Sequence, residues 1–166
     1  MASDMFLKVE GIEGESSDDK HKGEIEVLSY SWGVKQQRSG SASSAGSLSS
    51  GRADFQDFSI VKAIDKSSPN LALACADGTH LKSIKLELCR SGGDKQPYME
   101  YKFSDVIITS FRPGGNNGGD SETLPLEEVS FAYGKAEWKY TQTKVAGGKG
   151  AGNVAGGWDL TKNAKV

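Results

Sequence analysis

Four prolines and two cysteines among 166 residues leave this chain with neither a disulfide framework nor a proline-rich linker. Cys75 and Cys89 fit no CxxC pattern, so they read as buried free thiols. His21 and His80 are the only histidines. Each stands in a polar, turn-like context with no cysteine or second histidine at ligand spacing, so no metal centre is expected. Basic charge is not in excess: the formal net charge is -2. Without a basic stripe there is no electrostatic footprint for phosphate-driven binding, which excludes nucleic acid. No apolar run approaches the length that crosses a bilayer, and Asp4 stands where a signal peptide would carry a positive charge followed by an apolar core. The expectation is a chain made soluble in the cytoplasm, without membrane insertion.

Catalytic arrangements are missing too. No serine lies in a GxSxG elbow, and no GK[ST] phosphate loop occurs. The string GAGNVA at 150–155 fits a loose GxGxxG/A pattern, but a strand pattern follows it, where a dinucleotide loop must enter a helix. Its glycines read as a flexible turn. Carboxylates are numerous but nothing singles out an acid-base pair. The expectation is therefore no catalytic residue, no cofactor, no metal and no enzyme. Trp32, Trp138 and Trp158 could form a sugar-binding platform, but each falls on an alternating strand face beside other apolar residues, where core or interface anchoring is the commoner use.

What the chain does have is glycine, 21 residues of it, and a hydrophobic fraction of only 36%. Together these favour many short strands and turns over a helical bundle, in one domain over 1–166 whose modest core gains from oligomerisation. Strands are expected at 5–9, 24–35, 55–65, 81–89, 98–111 and 124–141, with a terminal one built on Trp158 and Leu160. Within 24–35 the apolar set starts with Ile25 and Val27, then shifts face to Leu28, Tyr30, Trp32 and Val34, which predicts a bulge or strong twist near Val27. A second face change, centred on Gly134, predicts a bulge or barrel corner. The core face of 55–65 is Phe58, Ile60 and Ile64. Ser68 as N-cap, Pro69 in the first turn and Gly78 as a left-handed stop predict one helix at 69–77, burying Leu71, Ala74 and Cys75. The tract SGSASSAGSLSSGR at 39–52 lacks the apolar surface to fold alone and reads as a long mobile loop. AGGKGAGNVAGG reads as a second flexible tract.

Six phrases in order resemble a known family. MASDMFLKVEGIEGES, KHKGEIEVLSYSWG, DKSSPNLALACADG, GGNNGGD, SFAYGKAEWKYT and GWDLTKN cover nearly the whole chain and are similar to the haemolysin-coregulated proteins, Hcp, of the bacterial type VI secretion system. One stretch departs from the pattern: 39–52 is serine-rich where that family's loop is richer in glycine, often with a histidine. The resemblance implies a small β-barrel of two packed antiparallel sheets with one short helix. It also implies a tube protein: homo-hexameric rings that stack, a contractile sheath around them, a spike protein at the tip, effector proteins in the lumen, and export without a signal peptide. Strand alternation puts Ser29, Ser31 and Gly33 opposite Tyr30 and Trp32, as the face toward the channel. The loop residues Ser39, Gly40, Ser47, Leu48 and Arg52 are the expected ring-stacking contacts. A tube protein fused to an effector domain would extend beyond the terminal strand, and only 161–166 follow it here. The rival of another class, a glycan-binding β-sandwich, would be monomeric or dimeric.

Overall fold

The computed structural model describes residues 3–39, 49–92, 94–115, 124–142 and 152–166. Eleven strands and one helix lie among them. The first strand, β1 (Ser3–Val9), buries Phe6, Leu7 and Val9. β1 pairs antiparallel with β2 (Ile25–Val27) on one side and with β7 (Leu81–Arg90) on the other. From β7 the sheet continues through β8 (Pro97–Gly114), β9 (Leu126–Thr141), β10 (Asn153–Asp159) and the short β11 (Ala164–Lys165).

The face change near Val27 is resolved by a change of partner. The chain leaves β1 after Val27, and β3 (Ser29–Ser31) then pairs with β6 (Phe58–Ala63), the Leu28 amide donating to the Val61 carbonyl at 2.8 Å. β6 in turn pairs with the first half of β9, Phe58 opposite Phe131 and Ala63 opposite Leu126. Covalent continuity through Leu28 thus joins the two ends of a strongly curved sheet; no ladder forms between β2 and β6. The second sheet is a two-stranded hairpin of β4 (Val34–Ser39) and β5 (Ser49–Phe55). The fold is mostly β, in two antiparallel sheets with one short helix, as expected, although the larger sheet does not close into a barrel.

The hairpin corrects the loop expectation: the tract 39–52 contributes its ends to strands, with Ser39 opposite Ser49 and Arg38 opposite Ser50. Gly40, Ser47 and Leu48 lie outside the described residues. The glycine tract is corrected likewise, since residues 153–157 belong to β10 and face Thr141 to Glu137 of β9.

At Gly134 the register runs on unbroken, Ser104 opposite Lys135 and Val106 opposite Tyr133, so this is a corner and not a bulge. Both strands reverse their inward face together here. Phe103 and Ala136 are buried on one side of it, Val106, Ile108 and Phe131 on the other. The turn is made by Asp105, whose φ of 53° is left-handed. A Cβ on Gly134 would sit 3.2 Å from the Asp105 carboxylate, a tight approach that the Asp105 side chain would have to relieve by a few tenths of an ångström. The true register shift lies between Ile108 and Ser110.

The helix, α1 (Ser68–Asp77), starts one residue early: Ser67 is its N-cap, Pro69 is in the first turn and Gly78, at φ 67°, stops it. Leu71 and Ala74 face the core, while Cys75 is half-buried. Ser68 does not cap because its hydroxyl serves a buried polar cluster. Lys62, fully buried on β6, reaches Glu127 of β9 at 2.8 Å, Asp65 at 2.9 Å and the Ser68 hydroxyl at 3.2 Å. That hydroxyl also donates to Glu127 at 2.8 Å. The Lys62 side chain takes the inward position that alternation gives it after Phe58 and Ile60, and Ile64 beyond it is exposed instead of in the core.

Candidate functional site

Trp32 is the hub of an aromatic cluster assembled from five strands and the segment after β3. Its ring centroid lies 5.4 Å from Trp138, 5.6 Å from Tyr101, 6.0 Å from Phe103 and 6.3 Å from Phe55. These spacings are those of interacting ring pairs. Its indole N–H donates to the Tyr133 hydroxyl at 2.6 Å, and that hydroxyl donates to the Gln56 carbonyl at 2.6 Å. Burial pushes the Tyr133 phenol up to about 12, and burial followed by the hydrogen bond with Tyr101 does the same for Tyr30. Both therefore stay neutral donors.

Phe55 links the third tryptophan, stacking on Trp158 at 6.5 Å. Trp138 lies across Gly156, directly opposite it in the register; a Cβ there would come within 2.7 Å of the indole nitrogen. The three tryptophans thus stand in one cluster, each half-buried in the chain.

This cluster fixes the base of the β4–β5 hairpin. Val34 pairs with Phe55, the Gln56 amide donates to the Gly33 carbonyl at 2.9 Å, and the Arg52 guanidinium donates to the Leu160 carbonyl at 3.0 Å. Beyond that base the described residues of the hairpin are mainly exposed. Arg52 therefore ties the hairpin to the chain's own C-terminal turn.

Ser29 and Ser31 are exposed, as alternation requires, while Tyr30 is half-buried. Gly33 belongs to the link between β3 and β4 and packs beside the Gln56 side chain. The register reveals more than the two serines. Ser31 stands opposite Ser59, Ser59 opposite Ser130, and Ser130 opposite Ser110. A row of hydroxyls crosses four strands, with Ser59 and Ser130 hydrogen-bonded at 2.8 Å. Phe58, Ile60, Val129 and Phe131, the alternate residues, are all buried. The row therefore lies on the face turned away from the core. Sequence reasoning missed Ser59, Ser110 and Ser130, and missed Phe55, Tyr101 and Tyr133 in the aromatic cluster. Only strand pairing brings them together, and no local spacing carries that information.

Among the described residues no helix is long and apolar enough to cross a membrane. Trp32→Ala is expected to lower unfolding stability by about 2–3 kcal/mol, somewhat below the loss for a fully buried indole. Urea denaturation of the purified variant measures it; a loss under about 0.5 kcal/mol, the scale of a surface change, would show that the cluster holds nothing.

Comparison with known proteins places this geometry. The family model described as "Type VI secretion system effector, Hcp" matches residues 6–140. Protein hcp1 of Pseudomonas aeruginosa is 38% identical over 167 residues, covering 100% of both chains. A solved structure described as a type six secretion system protein superposes with a TM-score of 0.91 at 34% identity, covering 99% of this chain and 100% of that one. Hcp1 from Salmonella typhimurium superposes at 0.76 with 32% identity, covering 99% and 100%.

Proposed function

Because the chain belongs to the Hcp family of type VI secretion proteins, we propose that it is a tube protein. Six copies close into a ring, the rings stack head to tail, and the lumen carries effector proteins. It acts by assembly, without a catalytic centre, and leaves the cell through the apparatus that it helps to build. A contractile sheath and a spike protein are its partners there.

The observation that carries the reading is the four-strand serine row on the face opposite the core. Short neutral hydroxyls give a smooth, wettable wall that passes and holds many different protein surfaces. Ser31, at the end of the row, is exposed and lines the channel with Ser29. The hairpin, anchored at its base by Trp32, Phe55 and Arg52, projects to the next ring. A head-to-tail contact of this kind is heterologous and yields open filaments.

Light scattering coupled to size exclusion is expected to give a hexamer at micromolar concentration; a monomer would overturn the ring. Ser31→Gln enlarges the side chain without adding charge. It should leave the hexamer intact and reduce the co-purification of lumen-bound effectors. Retention equal to wild type would place the channel on another face.

A further inference from the structure

We propose that His21, Cys89 and Glu87 form a binding site for a soft divalent transition metal, zinc by preference, with Glu24 orienting the imidazole. Their ligand atoms lie within 4.8 Å of one another. His21 comes from the loop after β1, 68 positions from Cys89 in sequence, and approaches it so that Nε2 is 3.5 Å from Sγ. In a tetrahedral zinc site, with Zn–N about 2.0–2.1 Å and Zn–S about 2.3 Å, these two atoms stand roughly 3.5 Å apart. The separation already suits a shared ion.

The imidazole is held for this role. Its Nδ1–H donates to Glu24 at 2.9 Å, which leaves the Nε2 lone pair facing the sulfur. Phe6 stacks on the ring at 4.3 Å with an interplanar angle of 4°, fixing its plane. Glu87 and Cys89 are alternate residues of β7 and point to the same side. Cys89 is 0% exposed, His21 4% and Glu87 12%. A thiolate, an imidazole and a carboxylate make a mixed S, N, O set that selects zinc or cobalt over magnesium or calcium.

The surroundings favour a cation. The carboxylates of Glu24 and Glu87 stand 2.9 Å and 3.4 Å from the imidazole Nδ1. Coordination releases the thiol proton to solvent as the S–metal bond forms. Lys85 holds one oxygen of Glu87 at 2.8 Å, and the other oxygen is the one turned toward the imidazole. Phe6, stacked on the imidazole, also lines a surface hollow with Asp4, Asp18 and Lys95. Bound metal would staple the loop carrying His21 onto β7, which that imidazole now meets at the Cys89 sulfur, 3.5 Å away, and at the Glu87 carboxylate, 3.4 Å away.

Cobalt titration of the purified full chain reads the site directly, through sulfur-to-cobalt charge-transfer absorption in the near ultraviolet. One Co²⁺ per chain is expected, displaced by Zn²⁺. The band should vanish in Cys89→Ser and His21→Gln and persist in Cys75→Ser. Glu24→Gln, which keeps all three ligands, should weaken binding about 10- to 100-fold. Added Zn²⁺ should raise the Tm of the wild type and leave that of Cys89→Ser unchanged. No band in the wild type, or a band that survives Cys89→Ser, overturns the site and leaves only an S–H···N hydrogen bond.

Discussion

Lys62→Met should cost the folded chain about 3–5 kcal/mol, the penalty for stripping the partner from a buried charge. Lys62 is 0% exposed and Glu127, its partner directly across the β6–β9 ladder, is 2% exposed. Removing the ammonium leaves Glu127 and Asp65 facing the same emptied point, with only the Ser68 hydroxyl still donating to Glu127. Both carboxylates then lack their counter-charge, one of them in the interior. Glu127→Gln should cost less, because Lys62 retains Asp65 at 2.9 Å and an amide oxygen can still accept. The double variant Lys62→Met with Glu127→Leu removes both buried charges and should recover most of the loss. Urea midpoints of the three variants measure this order. If Lys62→Met proves milder than Glu127→Gln, the cluster is not the counter-charge arrangement described.

Replacing residues 40–48 by Asn-Gly should leave the hexamer intact and abolish tube formation and secretion. Ser39 and Ser49 already face each other across the hairpin, so a two-residue turn can close it without strain on β4 or β5. The aromatic base, where Phe55 lies between Trp32 and Trp158, is untouched. Folding and ring closure should therefore match wild type. What is lost is the segment 40–48 that joins β4 to β5. Electron microscopy of the purified variant, beside an export assay in cells, reads both outcomes. Tubes of normal length from this variant would remove the hairpin end from stacking.

Much of the strand pattern was legible because alternation and turn residues act locally. β7 and the exposed faces of Ser29 and Ser31 follow from the period of 2.0, and the helix stop at Gly78 from glycine's access to the left-handed conformation. The face change at Val27 was legible as a fact, but its cause was not. A bulge and a change of partner produce the same pattern, and only the position of Val61 decides between them. Gly134 illustrates the same limit, since the left-handed residue is Asp105 on the opposite strand. The buried Lys62 defeats composition rules outright: a lysine after Phe58 and Ile60 reads as the outer end of a strand unless Glu127 is known to meet it. His21 and Cys89 escaped for the complementary reason. Ligand spacing in sequence was the criterion, while the sheet brings them together across 68 positions. The serine row was visible at Ser31 alone and the aromatic cluster at its three tryptophans, and their remainder is written in register.

Strand β9 is the common partner of β8, β10 and β6, and this imposes an order on synthesis. β6 leaves the ribosome long before the residues 126–131 that it must pair with. Through that interval its only hydrogen-bonded neighbour is the three-residue β3, and its inward face, Phe58, Ile60 and the charged Lys62, is uncovered. At roughly 5–20 residues per second the wait lasts several seconds, far longer than a hairpin takes to form. The N-terminal half of the chain thus passes through synthesis as an open edge whose inward lysine has Asp65, three residues on, as its ion-pair partner. An inward-pointing charge on an open edge disfavours pairing with a second copy of that edge, so the residue that makes the finished interior polar also guards the unfinished one until Glu127 arrives to complete its ion pairs.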